Sequence, residues 1–139
     1  MDAGELPLFS MLRSRLSYLN ERQRLIAENV GNGNVKGFAS KDLTPFSFQA
    51  QVENAAVGVA VTNPGHIAPS GQGGGSNGVN TKFKVRKSPG SETSLDGNSV
   101  VLEEEMQKMS DSRMNYDAAV TFYQKSLALV RMATRAPGR

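Results

Sequence analysis

Apolar residues recur at steps of three and four along the first thirty residues of the chain. We call this row the N-terminal seam: Phe9, Leu12, Leu16, Leu19, Gln23, Ile26 and Val30. A 3.5-residue repeat of this kind keeps one face of a helix against a partner helix. The pattern predicts a helix from about Pro7 to Val30, with a neighbouring apolar row at Leu8, Met11, Tyr18 and Leu25.

The C-terminal third carries the same repeat over a longer stretch. We call this row the C-terminal seam: Leu102, Met106, Met109, Arg113, Tyr116, Val120, Tyr123, Leu127, Val130 and Thr134. A second row lies beside it at Ala119, Phe122, Ser126, Leu129 and Ala133. Asn98 or Ser99 is placed to cap the helix, and Glu103, Glu104 and Glu105 put negative charge near its positive end. The pattern predicts a second, longer helix after Asn98.

The middle of the chain has a different composition, since nine of its 14 glycines fall between residues 58 and 97. Residues 62–80 have turn and linker composition, and short strand-like runs flank them at residues 57–61 and 81–87. In the second run, Phe83 and Val85 alternate with Lys82, Lys84 and Arg86. These two runs predict a small β-hairpin, which would be marginal by itself.

The expected fold is therefore mainly α, with two long terminal helices packed as an antiparallel, coiled-coil-like pair around an irregular, glycine-rich middle. We divide the chain into an N-terminal seam helix and turn (1–38), a Gly/Pro-rich middle segment (39–97) and a C-terminal seam helix (98–139), the two helices forming one helical domain. Each helix has more apolar surface than its partner in a hairpin can cover. The pattern favours a further protein chain as the partner of the second rows; a small monomeric bundle covered by the middle segment is the alternative.

Charge and composition narrow the function classes. The net charge of +3 is spread evenly, with five basic and four acidic residues in 1–40, five and four in 41–98, and six and five in 99–139. A nucleic-acid-binding domain would concentrate its basic residues. The absence of cysteine excludes disulfides and thiolate chemistry. No apolar run is long enough to span a bilayer or to form a secretory signal.

The glycine cluster at residues 31–37 suggests a phosphate loop, but its spacing fits neither a dinucleotide fingerprint nor a Walker loop, and it follows a helix rather than a strand. We interpret Gly31, Gly33 and Gly37 as turn residues, with Gly31 or Gly33 in the left-handed conformation that ends a helix.

Other candidate groups carry no recognisable chemistry. The single histidine, His66, lacks the companions that a metal site needs. Glu103, Glu104 and Glu105 point about 100° apart and cannot converge on one ligand. We therefore expect no catalytic, cofactor-binding or metal-binding residues. Binding of an anionic partner by Lys82, Lys84, Arg86 and Lys87 stays open beside their interpretation as solvated residues.

Two motifs at opposite ends carry a family resemblance. Residues 22–43, RQRLIAENVGNGNVKGFASKDL, resemble the segment Q-R-x-x-L-A-x-N-I-A-N-A-x-T-P-G-Y-x-x-x-D of the flagellar proximal rod proteins of the FlgB family. The stretch LDGNSVVLEEEM, which begins at Leu95, and the long helix after it are similar to the D-G-N-x-V-x-L-E-x-E-M region of that family. Val35-Lys36-Gly37-Phe38 stands where the family has Thr-Pro-Gly-Tyr.

The resemblance implies a non-enzymatic structural subunit of the flagellar basal-body proximal rod, in which the terminal helices polymerise into a helical, torque-transmitting axial shaft. It implies export by the flagellar type III system without a cleaved signal peptide, and a location in the periplasmic space. The implied partners are other copies, rod proteins of the FlgC, FlgF and FliE types, and the MS-ring and export-gate proteins, with no nucleic acid or small-molecule substrate. The alternative is a cytoplasmic helical-hairpin adaptor that binds one partner protein.

Overall fold

Two long helices and a two-stranded sheet make up the described part of the computed structural model, which covers residues 7–48 and 83–134. In chain order the elements are α1 (Pro7–Gly31), β1 (Lys41–Leu43), β2 (Val85–Lys87) and α2 (Leu102–Thr134). The predicted fold class, mainly α with two terminal helices and a small sheet, is confirmed. The 33 residues of α2 span about 50 Å at about 1.5 Å per residue.

The two helices pack antiparallel to each other. Near the end of α1, the Asn29 amide contacts Glu105 in the first turn of α2. Halfway along, the Ser112 hydroxyl lies 3.4 Å from the Leu19 carbonyl oxygen. Near the start of α1, the ring of Phe9 meets that of Tyr123 edge to face at a centroid distance of 5.4 Å. Residue numbers in these contacts therefore decrease along α1 as they increase along α2.

The helices contribute unequal side chains to their interface. From α1 come large apolar residues that are almost fully buried, namely Phe9, Leu12, Leu19 and Ile26. Two further buried residues of α1, Tyr18 and Leu25, pack with Leu43 of β1. The buried residues of α2 are Glu105, Ser112 and Ser126, which share one heptad position with the half-buried Ala119. The distance between packed helices depends on the side chains at the contact. The small residues of α2 therefore leave room for the bulky face of α1.

The second apolar row of α2 is divided between two environments. Ala119 and Ser126 face α1, whereas Phe122 is 55% exposed and Leu129 is 62% exposed. A three-residue step on an α-helix falls about 60° short of a full turn. Because each large residue follows a small one at that spacing, the large side chains lie outside the interface.

The sheet joins strands that are distant in sequence. β1 and β2 are antiparallel, and Asp42 lies opposite Arg86. The pairing continues beyond both strands, because the Thr44 N–H donates to the Lys84 carbonyl at 2.9 Å and the Ser88 N–H to the Ser40 carbonyl at 2.9 Å. The predicted hairpin partner, residues 57–61, lies outside the described residues. In the described part of the chain β2 pairs instead with β1.

Burial of Leu43 accounts for this pairing. Leu43 is 1% exposed and packs with Tyr18, Leu19 and Leu25, so β1 is fixed against α1. Phe83 packs on the same cluster and brings the start of β2 alongside. The predicted alternation holds for Phe83 but not for Val85, which is 47% exposed.

Truncation of Leu19 tests this core. Leu19→Ala should lower the free energy of unfolding by about 2 to 5 kcal/mol, since a fully buried leucine leaves a cavity when it is truncated. Met114→Ala, at a position that is 68% exposed, should change it by less than about 0.5 kcal/mol. Urea unfolding followed by circular dichroism measures both. Equal effects of the two substitutions would contradict the assigned core.

Candidate functional site

The exit of α1 is closed by asparagine rather than by a left-handed glycine. The Asn32 N–H donates to the carbonyls of Glu28 and Asn29 at 3.1 Å each, and the Asn32 side-chain amide donates to the Glu28 carbonyl at 2.7 Å. Neither Gly31 nor Gly33 has a positive φ. The prediction that one of them is left-handed is wrong, because the N–H groups of Asn32 and Gly33 satisfy the carbonyls of Glu28, Asn29 and Val30 without one.

The left-handed glycines lie further on, where the two motifs meet. Gly37 has φ +71° and Gly97 has φ +84°. The Gly37 N–H donates to the Asp96 carbonyl at 3.0 Å, and a Cβ on Gly97 would lie 3.4 Å from the Gly37 Cα. The chain leaving α1 therefore crosses the chain approaching α2 at two glycines. We call this crossing, residues 32–40 with 95–101, the junction.

Asn98 holds the junction together from the α2 side. Its buried amide donates to the carbonyls of Asn32 at 3.0 Å and Val35 at 2.7 Å, while its Oδ1 accepts from the Val100 N–H at 2.8 Å. All three contacts precede α2, so the predicted capping role of Asn98 is wrong. Ser99, the alternative cap, keeps its hydroxyl buried and without a hydrogen-bond partner among the described residues. Asn98 is a bridge between the motifs.

Asn29 is the second bridge and connects three elements. Its Oδ1 accepts from the Lys41 N–H at 3.0 Å, and its Nδ2 donates to the Lys41 carbonyl at 2.7 Å. The same Nδ2 donates to Glu105 Oε2 at 2.8 Å. Glu105 is 1% exposed, and its other oxygen accepts from Lys108 Nζ at 2.7 Å. One asparagine therefore ties α1 to both β1 and α2.

The sequence interpretation missed the role of Glu105. The helix dipole predicts the same role for all three consecutive glutamates, but Glu103 is exposed and Glu104 accepts from the Ser91 N–H at 3.2 Å. Heptad spacing was the available signal, because Glu105 shares its position with Ser112, Ala119 and Ser126. A carboxylate in that row has to face α1.

An ion pair between Arg22 and Asp42 also fixes β1 to α1. Arg22 donates from Nε and Nη2 to the two oxygens of Asp42, both at 3.0 Å. Burial raises the pKa of Asp42, but the hydrogen bonds from Arg22 and from the Leu43 N–H outweigh it and hold that pKa below its usual value. The hydrogen bond to Asp42 raises the pKa of Arg22 in turn. The lowered pKa thus favours the charged carboxylate although Asp42 is buried.

The predicted seam residues occupy three environments. Phe9, Leu12, Leu19 and Ile26 are buried within the helix pair. The half-buried members are Leu16, Met109, Val120, Tyr123, Leu127 and Val130. The exposed members are Val30, Leu102, Met106 and Tyr116, with exposed fractions from 36% to 70%. The N-terminal seam mostly faces α2, whereas the C-terminal seam lies along the edge of the pair.

A further apolar surface lies on α2 outside its interface with α1. It comprises Met114, Phe122, Leu129 and Met132, each between 55% and 68% exposed, and we call it the outer face of α2. Only Phe122 and Leu129 belong to the predicted second row. Met114 and Met132 were missed because they fall between the predicted rows.

Other sequence candidates add no cluster of chemical groups. Lys84, Arg86 and Lys87 are exposed, whereas Lys82 and His66 lie outside the described residues. Within residues 7–48 and 83–134, no group of three or more His, Cys, Asp or Glu side chains is placed to hold a metal ion. Neither helix in those ranges is long and apolar enough to cross a membrane.

The described residues define a protein built on an antiparallel pair of long helices that a polar junction connects at one end. No family model matches the chain. It is 33% identical over 115 residues to the flagellar basal body rod protein FlgB of Agrobacterium fabrum (strain C58 / ATCC 33970), and the match covers 81% of each chain. The chain belongs to the FlgB family of flagellar basal-body rod proteins.

A pair of glycine substitutions tests the junction backbone. Gly37→Ala should destabilise the protein by about 1 to 2 kcal/mol, because the left-handed conformation is unfavourable for a residue with a Cβ. Gly31→Ala is the control, since a Cβ at either position meets nothing within 4 Å and only Gly37 has a positive φ. The control should leave stability unchanged or raise it by up to about 1 kcal/mol. Chemical denaturation gives both values, and a neutral Gly37→Ala would contradict this backbone geometry.

The Arg22–Asp42 pair should make stability depend on pH. A carboxylate with a lowered pKa stabilises the fold above its unfolded pKa, and this contribution disappears as the pH falls through its folded pKa. Asp42→Asn should therefore cost about 1.5 to 3 kcal/mol at neutral pH, the range for hydrogen bonds to charged groups, and progressively less below about pH 4.

Denaturant titrations from pH 7 to pH 3 measure this difference. Arg22→Lys keeps the positive charge without the paired geometry, and should retain part of the pH dependence. A difference between the parent and Asp42→Asn that stays constant over this range would contradict the role of the Asp42 charge.

Proposed function

We propose that this chain is a structural, non-enzymatic subunit of the flagellar proximal rod, and that it polymerises through its terminal helices. The support is the outer face of α2, where four large apolar side chains remain exposed after α1 and α2 have paired. Apolar residues at adjacent helical positions are typical of surfaces that contact another protein. Membership of a rod-protein family makes neighbouring subunits the partners that best fit this surface.

The paired helices and the outer face would have separate tasks. The N-terminal seam holds the subunit together, because most of its large residues are buried against α2. The exposed residues Leu102, Met106 and Tyr116 extend the apolar surface along the edge of α2. In this proposal the seams thus serve both the fold and the assembly, and the outer face of α2 is added to the residues that the sequence predicts.

A tube follows if the contacts between subunits are heterologous. Contacts between different surfaces of identical chains generate open helical assemblies when they do not close into a ring. A subunit whose helices are tied at the junction can pass on force through its rigid pair, because Asn29 and Asn98 hold both helices at one end. We propose this as the route by which the shaft transmits torque.

The proposed location is the periplasmic part of the basal body, reached by flagellar type III export. The proposed partners are copies of the chain itself, rod proteins of the FlgC, FlgF and FliE types, and the MS-ring and export-gate proteins at the rod base. The exposed cations in and next to β2, Lys84, Arg86 and Lys87, would lie on the subunit surface, where binding of an anionic partner stays a prediction.

Charge on the outer face of α2 tests the proposal. Phe122→Asp and Leu129→Asp should leave the folded subunit intact, because both positions are exposed, but should abolish swimming and rod formation. Burying an unpaired charge at a subunit contact costs several kcal/mol. Gln124→Asp introduces the same charge at an exposed position of α2 that is outside the outer face. It should swim like the parent.

Motility in soft agar and electron microscopy of isolated basal bodies are the measurements, and circular dichroism confirms that each variant folds. Normal swimming of Phe122→Asp and Leu129→Asp would overturn the assignment of this surface. A soluble complex of fixed stoichiometry with one cytoplasmic protein, together with intact rods in cells that lack the chain, would favour the adaptor function instead.

A further inference from the structure

Both helices present heptad repeats to each other. On α1, Leu12, Leu19 and Ile26 are seven residues apart and all are nearly fully buried. On α2, the facing row of Ser112, Ala119 and Ser126 has the same spacing. A repeat with a period of seven has nearly equivalent packings at displacements of seven residues. Apolar packing alone therefore specifies the register of this pair only weakly.

A displaced register would satisfy the apolar layers at least as well. In the observed register Leu19 lies against Ser112. Displacement of α2 by seven residues would place Ala119 against Leu19 and would replace a hydroxyl by a methyl group at that layer. It would also carry Glu105 beyond the end of α1 into solvent, which would remove the cost of burying its charge.

The polar contacts at the junction oppose this displacement. Glu105 bonds to Asn29 only in the observed register, and it is 1% exposed there with Lys108 as its second partner. Asn98, seven residues before Glu105, bonds to the carbonyls of Asn32 and Val35. Both contacts are lost in a helix pair that is displaced by one heptad.

We infer that Glu105 and Asn98 form a register lock: they select one register of α1 against α2, while the apolar layers supply most of the stability. Buried polar groups act in this way in coiled coils, where a single asparagine fixes register and costs stability. Leu19 and Glu105 therefore have different tasks although both are buried in the same interface. This division concerns the single chain and does not depend on whether the chain polymerises.

Spin-label distances can separate register from stability. The chain has no cysteine, so Asn20→Cys and Gln124→Cys give two specific labelling sites, both exposed, one on each helix. Displacement by seven residues moves one helix along the other by about 10 Å at about 1.5 Å per residue. Pulsed electron–electron double resonance on the labelled full chain resolves a change of that size.

In the parent we expect one distance between the labels. Glu105→Leu combined with Asn98→Ala should add a second population displaced by about 10 Å. Glu105→Leu alone, which leaves the Asn98 contacts in place, should show the same second population at a lower fraction. This single variant replaces the double variant in the test if the double variant does not fold. Glu105→Gln can still accept from Asn29 and should keep the parental distance.

Core truncation gives the opposite pattern if the inference is correct. Leu19→Ala should lower the urea midpoint and keep the single parental distance. Ser112→Ala removes the hydrogen bond from α2 to the Leu19 carbonyl and should also keep the single parental distance. A single parental distance in the folded Glu105→Leu variants, or a second distance in Leu19→Ala, would overturn the register lock.

Discussion

The hydrogen bond between Asn29 and Glu105 is the constraint on which the rest of the structure depends. It joins the last turn of α1 to the first turn of α2, and the same Asn29 amide pairs with both backbone groups of Lys41. A buried carboxylate is costly unless it is paired and hydrogen-bonded. Because Asn29 and Lys108 together satisfy Glu105, the start of α2, the end of α1 and β1 are held at one point.

The order of the other contacts follows from that point. Asn29 holds β1 at Lys41, and the Arg22–Asp42 pair holds it at the next residue. Leu43 is thereby placed in the core, and β2 pairs with the edge of β1. The junction glycines let two chain segments cross closely, and Asn98 closes the crossing. The long apolar interface then runs away from this end, with Phe9 and Tyr123 in contact near the other.

The sequence predicted the helices well because their information is local and periodic. The first helix starts at Pro7 as predicted and ends one residue beyond Val30. Its bounds are readable because the seven-residue repeat marks the helix and the Gly- and Asn-rich residues after it mark its end. The strand pairing and the roles of Asn29 and Asn98 were not predictable in this way. Each depends on groups far apart in the chain: Leu43 pairs with Val85, and Asn29 meets Glu105, 76 residues later.

The candidate site shows the same limit on a smaller scale. The interpretation of the three glutamates as dipole partners was reasonable for each residue by itself, but burial depends on which face of α2 meets α1, and the apolar residues alone assigned that face ambiguously. The row of small residues, Ser112, Ala119 and Ser126, carried the information. Small side chains that face a bulky helix are as informative as large ones.

The wide separation of the two helices along the chain also determines when folding can be completed. α1 occupies residues 7–31, yet every described residue of its helical partner comes after residue 101. In any process that delivers the chain N-terminus first, whether synthesis or passage through a narrow channel, α1 emerges long before α2. The residues of α1 that face α2 then stay without their partner until nearly three-quarters of the 139 residues have emerged. The antiparallel helix pair can therefore form completely only after residues 102–134 have emerged.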